Sequence, residues 1–231
     1  MNDNNLMDKI VALCKRRGFI YSGSEIYGGL GGTWDYGPLG AELKRNIKNE
    51  WWRDVVALRE DIVGVDSAIM MNPKVWVASG HVDAFVDPLV ECKNCHARFR
   101  ADHIDQITEH EKSHKEKVSW TSPQKFNLLV KANLGILEGR QQEIYLRGEI
   151  TQGVHVNFRN VLDSTRIKLP FGIAQIGKAF RNEITPGNFI FRSREFEQME
   201  VQYYLRPQVS EGERWFDYWK NYWMSWYIKF G

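Results

Sequence analysis

The chain has 231 residues, of which 43% are hydrophobic and 13% aromatic, and its 31 basic and 29 acidic residues leave a formal net charge of +2. This length allows one large domain or a domain with an insertion, and the charge balance gives no sign of a strongly basic nucleic-acid-binding surface, although a local patch is compatible with it. Three cysteines favour a reducing compartment, and no signal peptide or apolar run of about 18 residues is visible, so we expect a cytoplasmic protein without a membrane span.

A helix and a glycine-rich loop are predicted at the start of the chain. Residues 3–17 have a helical period, and their apolar positions share one face: Leu6, Ile10 and Leu13. Cys14 lies beside this face, where we expect a buried thiol. The glycine density of residues 25–40 suggests a phosphate-binding loop, but no Gly-Lys-Ser/Thr follows. A loop with close backbone approach is therefore the better interpretation.

A long helix and a strand are predicted next. Pro38 suits the first helical turn, and apolar residues then follow at four-residue steps to about Leu58. The Trp51-Trp52 pair on this helix suits either the core or an exposed contact surface. Residues 62–71 predict a strand that ends at Asn72-Pro73.

The character of the sequence changes over residues 88–123, which are polar, charged and poor in aliphatic side chains. Basic and acidic residues nearly cancel between Glu91 and Lys117, so this stretch is no simple basic arm. We predict an insertion, mostly helical over 101–117, that interrupts a core made of residues 1–87 and 124–231.

A possible metal site lies within this insertion. Cys92-x2-Cys95 opens it, and His110-x3-His114 follows on the predicted helix, where residues four apart share a face. This spacing fits a Cys2His2 zinc site, which would be structural because four protein ligands leave no open position. The alternative is a pair of free thiols and two solvated histidines on a charged helix.

The second half of the chain predicts a β-hairpin. Its strands cover 172–183 and 189–205, and a turn lies at 185–188. Since side chains alternate along a strand, one face of the second strand carries Arg192, Arg194, Phe196, Gln198 and Glu200. One face of the first strand carries Ala179, Arg181 and Glu183. Arginine suits phosphate or carboxylate, and an aromatic ring beside a glutamate suits a purine. The alternative is a solvated strand face with cross-strand ion pairs.

Helices are predicted on both sides of the hairpin. The first covers residues 154–163, and the second covers 210–230. Along one face of the second lie Trp215, Trp219 and Trp223.

The hairpin carries a family resemblance. Phe180-Arg181-Asn182-Glu183 followed by Arg192-x3-Phe196-x3-Glu200 resembles the second signature motif of class II aminoacyl-tRNA synthetases, and the surrounding residues resemble the glycyl-tRNA synthetase family. The resemblance covers nearly the whole chain. It implies an α+β fold in which a class II synthetase-like antiparallel β-sheet is flanked by helices. It also implies that residues 1–87 hold the first motif, with Pro73 as its proline and the helix from Leu39 at a homodimer interface.

The family's reaction joins glycine to tRNA(Gly) through a glycyl-adenylate made from ATP with Mg²⁺. By this resemblance Arg181 is the catalytic residue and binds the α-phosphate and the glycine carboxylate. Glu183 accepts the adenine amino group, Phe196 stacks on adenine, and Arg192 binds the γ-phosphate.

The glycine ammonium is assigned, also by resemblance, to Glu149 and Glu200. Glu149 lies in the stretch from Tyr145 to Gly153, which is similar to a family motif. The family has proline, threonine and alanine where this chain has Gly148, Ile150 and Thr151. Of these, Ile150 is bulkier and Thr151 more polar than the family's residue, and we expect these two changes to alter the walls of a glycine pocket.

Two parts of such an enzyme have no counterpart in the sequence. Nothing matches the glycine-rich third motif that completes the ATP site, or the anticodon-binding domain. We therefore expect an N-terminal portion of a longer enzyme that is inactive alone. The alternatives are a non-catalytic synthetase-like binding subunit and a metal-stabilised protein- or RNA-binding module built on the insertion. The first is disfavoured because the motif residues from Arg181 to Phe196 are present.

Overall fold

A computed structural model describes residues 3–137, 139, 141–187 and 189–231, with only the backbone of residues 3–5. The described residues form an α+β structure. The helices are α1 (Asp3–Arg16), α2 (Pro38–Trp52), α3 (Pro73–Ala78), α4 (His81–Ala84), α5 (Ile104–Ser113), α6 (Thr151–Val156), α7 (Phe158–Thr165) and α8 (Val209–Lys229). The strands are β1 (Ile20–Ser22), β2 (Trp34–Tyr36), β3 (Ile62–Gly64), β4 (Val86–Glu91), β5 (Arg98–Arg100), β6 (Gln124–Asn127), β7 (Val130–Leu134), β8 (Gln142–Leu146), β9 (Phe171–Phe180) and β10 (Glu195–Tyr204).

The central sheet has the order β10-β9-β3. Strands β9 and β10 pair antiparallel from Phe171 opposite Tyr204 to Phe180 opposite Glu195, and β3 pairs with β9 in parallel. Residues 171–175 of β9 are all buried, so this part of the strand is covered on both faces. The sheet therefore fixes the relative positions of the two hairpin strands.

Helices pack on both faces of this sheet. On one face, α2 and α8 enclose a core cluster of Trp51, Val55, Ile62 and Ala174. On the other face, α6 and α7 enclose Val154, Val161, Phe171 and Ile173. The tryptophan face predicted for the C-terminal helix is confirmed, because Trp219 and Trp223 pack against the first cluster.

Three smaller sheets surround this centre. They pair β1 with β2, β7 with β8, and β5, β4 and β6 in that order. The insertion contributes β5 and most of β4, and its helix α5 is shorter than the predicted 101–117. The first residues of the expected helix form a turn instead, because Ala101 N bonds the carbonyl of Pro88 over 2.8 Å.

The predicted strand over 62–71 is too long. Regular pairing ends at Gly64, and the following segment turns so that the carbonyl of Ser67 accepts a hydrogen bond from Arg147 Nη1 over 2.8 Å. Pro73 begins α3, which is capped by the side chain of Asn72. The apolar residues of this segment fit the strand pattern, but beyond Val65, whose N–H still bonds Ala174 O on β9, the segment leaves the sheet.

The predicted hairpin arms are also too long. The strands end at Phe180 and begin again at Glu195, so Arg192 and Arg194 do not lie on a strand face. The backbone N–H of Asn182 bonds Leu128 O over 2.8 Å, outside the hairpin. The residues between the strands therefore form an irregular loop held by long-range contacts, which strand periodicity does not describe.

The two N-terminal helices are confirmed, with two corrections. The apolar face of α1 is exposed, since Leu6 is 60% and Leu13 47% accessible, and Cys14 is only partly buried. Helix α2 continues as a π-helical turn over Arg53–Ala57, close to the predicted end. Trp51 is 3% exposed, so this tryptophan belongs to the core.

No helix among the described residues is both long enough and apolar enough to cross a membrane.

Candidate active site and metal site

One face of the β9–β10 hairpin forms the floor of the candidate site. Phe196 lies opposite Ala179, Gln198 opposite Gly177, and Glu200 opposite Gln175. Gly177 is required by its surroundings, because a Cβ atom there would overlap the guanidinium of Arg147. The small residues of β9 thus allow a buried arginine to lie against the sheet.

Arg147 anchors this floor. It is 2% exposed, and its guanidinium donates to Lys178 O over 2.6 Å and to Ser67 O over 2.8 Å. Burial lowers the pKa of Arg147, while the carbonyl oxygens satisfy its N–H groups. This side chain ties β8, β9 and the segment after β3 together below the site.

Arg181 lies directly above the floor, between two aromatic rings. Its guanidinium carbon is 5.2 Å from the centre of the Phe196 ring and 5.3 Å from that of Phe85. Its Nε donates to Gly148 O over 3.1 Å. The structure therefore brings Arg181 and Phe196 together, and both rings lie within cation–π distance of the guanidinium.

Glu183 and Arg192 form a second pair in the loop. Arg192 Nε donates to Glu183 Oε2 over 2.7 Å, and Glu183 is 8% exposed. Arg194 Nη2 donates to the carbonyl of Glu183 over 3.1 Å. The loop thus holds a buried carboxylate next to an arginine although neither residue lies on a strand.

Glu149 and Glu200 lie at the first turn of α6. Gln152 Nε2 donates to Glu149 Oε1 over 2.7 Å, and the hydroxyl of Thr151 donates to Glu200 Oε1 over 2.6 Å. One short helix therefore contacts both carboxylates, although they are far apart in the sequence. Ile150, which also departs from the family pattern, is fully buried.

His81 also contacts the site. Its Nε2 lies 3.2 Å from Glu149 Oε1, and its Nδ1 lies 2.9 Å from Ser79 Oγ. Nothing near His81 in the sequence signals this contact, because Glu149 reaches it only through the fold. Phe85, Asp87 and Arg147 were missed for the same reason.

The four residues of the candidate metal site lie together. The ligand atoms of Cys92, Cys95, His110 and His114 are all within 4.8 Å of one another. Cys95 Sγ is 3.4 Å from His110 Nε2, which is 3.1 Å from His114 Nε2. Tetrahedral zinc with ordinary bond lengths requires ligand separations of about 3.3–3.8 Å, so small adjustments would complete such a site.

The surroundings also suit a small metal centre. The centres of the Phe99 and Trp120 rings lie 4.7 and 5.6 Å from the centre of the His110 ring. Burial opposes ionisation of Cys92, but hydrogen bonds from Cys95 and Asn94 outweigh this effect and lower the pKa of the Cys92 thiol. A thiolate is the form that binds zinc.

Comparison with known proteins gives one consistent result. No family model matches the chain. The chain is 56% identical over 224 residues to glycine–tRNA ligase of Borrelia garinii subsp. bavariensis, covering 96% of this chain and 49% of the relative. It is 51% identical over 238 residues to glycine–tRNA ligase of Treponema denticola, covering 100% of this chain and 51% of the relative.

A third relative extends the comparison. Over 250 residues the chain is 50% identical to glycine–tRNA ligase of Caldanaerobacter subterraneus subsp. tengcongensis, covering 97% of this chain and 54% of the relative. The chain spans about half the length of these curated relatives. The resemblance carried by the hairpin motif is therefore confirmed, and the chain is homologous along nearly its whole length to about half of a glycine–tRNA ligase.

Proposed function

We propose that this chain supplies the ATP- and glycine-binding part of a glycine–tRNA ligase. The observation that carries the proposal is the packing of Arg181 between Phe85 and Phe196, beside a helix turn that contacts both Glu149 and Glu200. A cation, an aromatic face and two carboxylates are the groups that an adenylate of an amino acid requires. The core is proposed to be class II synthetase-like, with residues 88–123 inserted between 1–87 and 124–231.

The first reaction step requires a carboxylate to attack the α-phosphorus of ATP and release pyrophosphate. Both reactants are anionic, so positioning and charge stabilisation are the main contributions of the protein. Arg181 is proposed to bind the glycine carboxylate and the α-phosphate together. Mg²⁺ bound to the ATP phosphates would neutralise further charge. The activated glycine would then pass to the 3′ end of tRNA(Gly).

The nucleotide is proposed to lie along the loop between β9 and β10. Phe196 would stack on adenine, Glu183 would accept its amino group, and Arg192 would bind the γ-phosphate. Support comes from the burial of Glu183, since a buried carboxylate oxygen is a strong acceptor, and from its contact with Arg192.

Glycine is proposed to bind through its ammonium group to Glu149 and Glu200. Thr151 supports this assignment because its hydroxyl fixes one oxygen of Glu200, and Gln152 does the same for Glu149. Since no amino acid is smaller than glycine, the pocket needs only to exclude a side chain, which close walls do well.

Glycine-dependent exchange of pyrophosphate into ATP tests this function. The product of the complete open reading frame that contains this chain should catalyse exchange with glycine. Alanine should be used roughly 100-fold less efficiently, measured as kcat/KM. Wild-type protein that is folded but gives no exchange with glycine would support a non-catalytic binding subunit instead.

The complete protein is also proposed to be a cytoplasmic homodimer. By the family resemblance, α2 is proposed to lie at the interface. In the described structure Leu39 and Leu43 on this helix are about half exposed. An apolar helix face of this kind suits contact with a second copy.

Cys92, Cys95, His110 and His114 are proposed to bind one structural zinc ion. The support is their assembly within 4.8 Å from two separate segments: the turn after β4, which carries both cysteines, and helix α5 with the residue after it, which carry the histidines. Four ligands would close the coordination shell, so the ion would stabilise the insertion and take no part in the reaction.

Metal analysis of protein purified without a histidine tag tests this site. We expect about one zinc per chain, lost in both Cys92→Ser and His110→Ala. His103→Ala is a matched control, because His103 lies outside the cluster and should leave zinc unchanged. Less than about 0.2 zinc per chain, unaffected by Cys92→Ser, would mean that the cysteines are free thiols.

A further inference from the structure

A chain of ion pairs connects β4 to the loop that carries Glu183 and Arg192. Asp87 on β4 is 6% exposed, and its Oδ2 accepts a hydrogen bond from Arg100 Nη1 over 2.9 Å. The same oxygen lies 3.9 Å from Arg192 Nη2. Because Arg192 Nε donates to Glu183, its guanidinium lies between two buried carboxylates.

Arg100 is itself held firmly. Its Nε and Nη2 donate to the two oxygens of Asp102 over 3.0 and 2.7 Å, and this hydrogen-bonded arginine lowers the pKa of Asp102 to about 2. Arg100 ends β5 opposite Leu89 on β4. Two parallel hydrogen bonds to one carboxylate restrict the orientation of the Arg100 guanidinium. The Asp87 carboxylate, which is bonded to that guanidinium, is therefore also held in position.

Within its own segment, the Arg192 guanidinium is held by the hydrogen bond to Glu183. It lies in the irregular loop between β9 and β10, where the strand ladder has ended. An arginine and a carboxylate frequently form a bidentate ion pair with two parallel hydrogen bonds. The hydrogen bond between Arg192 and Glu183 uses Nε and Oε2, and Asp87 lies on the side of the outer nitrogen Nη2.

We propose that Asp87 is a positioning residue that directs the Arg192 guanidinium in the nucleotide site, with Arg100 fixing Asp87. The inference rests on the proposed function and extends it to two residues outside the signature motif. Asp87 draws the outer end of Arg192 toward β4. Arg192 is thereby kept from closing over both oxygens of Glu183, and Glu183 keeps an oxygen for the adenine amino group.

Asp87→Asn tests this role because it keeps the size of the side chain and removes its charge. In the product of the complete open reading frame, we expect the KM for ATP in pyrophosphate exchange to rise about 3- to 30-fold. The KM for glycine should remain within about twofold, because Glu149 and Glu200 do not contact Asp87. A purely structural ion pair would change both constants or only the melting temperature.

Glu91→Gln is the matched control. The Glu91–Arg98 pair joins the same two strands, with Glu91 four residues after Asp87 on β4 and Arg98 two residues before Arg100 on β5. Arg98 Nε lies 2.9 Å from Glu91 Oε2. It lies at the end of β4 away from Arg192, so both KM values should stay at the wild-type level. Equal effects of Asp87→Asn and Glu91→Gln would overturn the inference.

A double-mutant cycle asks whether Asp87 acts through Arg192. Mg·ATP binding by equilibrium dialysis should weaken in Asp87→Asn, but Asp87→Asn should have little further effect in an Arg192→Gln background. Independent, additive effects would contradict the proposed role. If Asp87→Asn fails to fold, Arg100→Lys is the alternative variant. Lysine keeps the positive charge but cannot form the planar paired hydrogen bonds of arginine, so this variant should also raise the KM for ATP.

The failure of this inference can be separated from failure of the proposed function. Wild-type protein that does not bind Mg·ATP overturns both. Wild-type protein that binds Mg·ATP and exchanges pyrophosphate, with an unchanged ATP constant in Asp87→Asn, overturns the positioning role alone.

Discussion

Gly177 shows how a single missing side chain supports the candidate site. It lies on β9 opposite Gln198, and the space that its Cβ would occupy is filled by the guanidinium of Arg147. That guanidinium is hydrogen-bonded to Lys178 O and Ser67 O, so moving it would strain or break these bonds.

Gly177→Ala should therefore destabilise the fold by about 1–3 kcal/mol, the usual cost of overpacking a filled site. The melting temperature measured by circular dichroism checks this prediction. Gly212→Ala in α8 is the control, because no atom lies near its added methyl group and alanine favours a helix. An unchanged melting temperature in Gly177→Ala would show that Arg147 moves aside without cost.

The residue pairs of the site were predictable to different degrees. Strand alternation and the motif resemblance brought Arg181 and Phe196 together, and the structure agrees. Glu183 and Arg192 also meet, but through a loop that periodicity did not predict. His81 and Asp87 were beyond prediction, because their partners lie far away in the sequence and no local pattern marks such contacts.

At the level of elements, side-chain hydrogen bonds next to the short strand β3 help to hold it in the central sheet. Asp61 directly precedes it and accepts hydrogen bonds from Arg59 Nε and Nη2, each over 2.9 Å. The hydroxyl of Tyr203 on β10 donates to the same carboxylate over 2.6 Å. Asp61 thus links the two outer strands of the central sheet across β9.

This network makes a prediction about pH. Partial burial opposes ionisation of Asp61, but the hydrogen bonds from Arg59 and Tyr203 outweigh it and lower the pKa of Asp61 below its usual 3.8. The ionised carboxylate therefore stabilises the folded state above about pH 3.8, and this contribution is lost as the pH falls further. Asp61→Asn should reduce the free energy of unfolding at pH 7 by on the order of 1 kcal/mol. The difference from wild type should shrink as the pH falls below about 3.8.

Urea unfolding at several pH values measures this difference. Asp163→Asn is the control, since the Arg159–Asp163 pair is a solvent-exposed helix pair and should contribute little. A difference between Asp61→Asn and wild type that stays constant from pH 7 to pH 3 would contradict the proposed link.

Element types were predicted better than element lengths. The helices α1, α2 and α8 and the β9–β10 hairpin were all expected from periodicity. The predicted strand over 62–71 and the predicted hairpin strands are longer than those in the structure. In both places the side chains suit a strand, while Ser67 O and Asn182 N bond to distant segments.

For the whole molecule, the proposed dimer depends on which residues helix α2 exposes. Trp51 is buried against Trp223 and does not offer a contact surface. The exposed apolar residues of this helix are Leu39, Leu43 and Ile47. The dimer proposed from the family resemblance therefore relies on these aliphatic side chains.

We expect the product of the complete open reading frame to be a dimer at micromolar concentration. Leu43→Glu should shift it toward the monomer, because a charge in an apolar interface loses its hydration. Sedimentation velocity measures the change. Leu134→Glu on β7 is the control, since Leu134 is similarly exposed on a different element. A monomeric wild type would contradict the dimer.

The architecture of the whole chain was only partly predictable. The α+β class and the antiparallel hairpin were expected, and the identity of 50–56% to glycine–tRNA ligases confirms the family resemblance. The arrangement of the β5-β4-β6 sheet was not expected, because its pairing joins β4 to a strand beyond the insertion. Such long-range pairing depends on the fold and leaves little local pattern.

The proposed catalytic role of Arg181 is tested most directly by glycine-dependent pyrophosphate exchange in Arg181→Ala. In the product of the complete open reading frame, loss of the guanidinium between Phe85 and Phe196 should abolish exchange, because the phosphate and the glycine carboxylate would face no cation. Arg206→Ala, an exposed arginine after β10, should exchange at the wild-type rate. Wild-type exchange in Arg181→Ala would contradict the proposed active site.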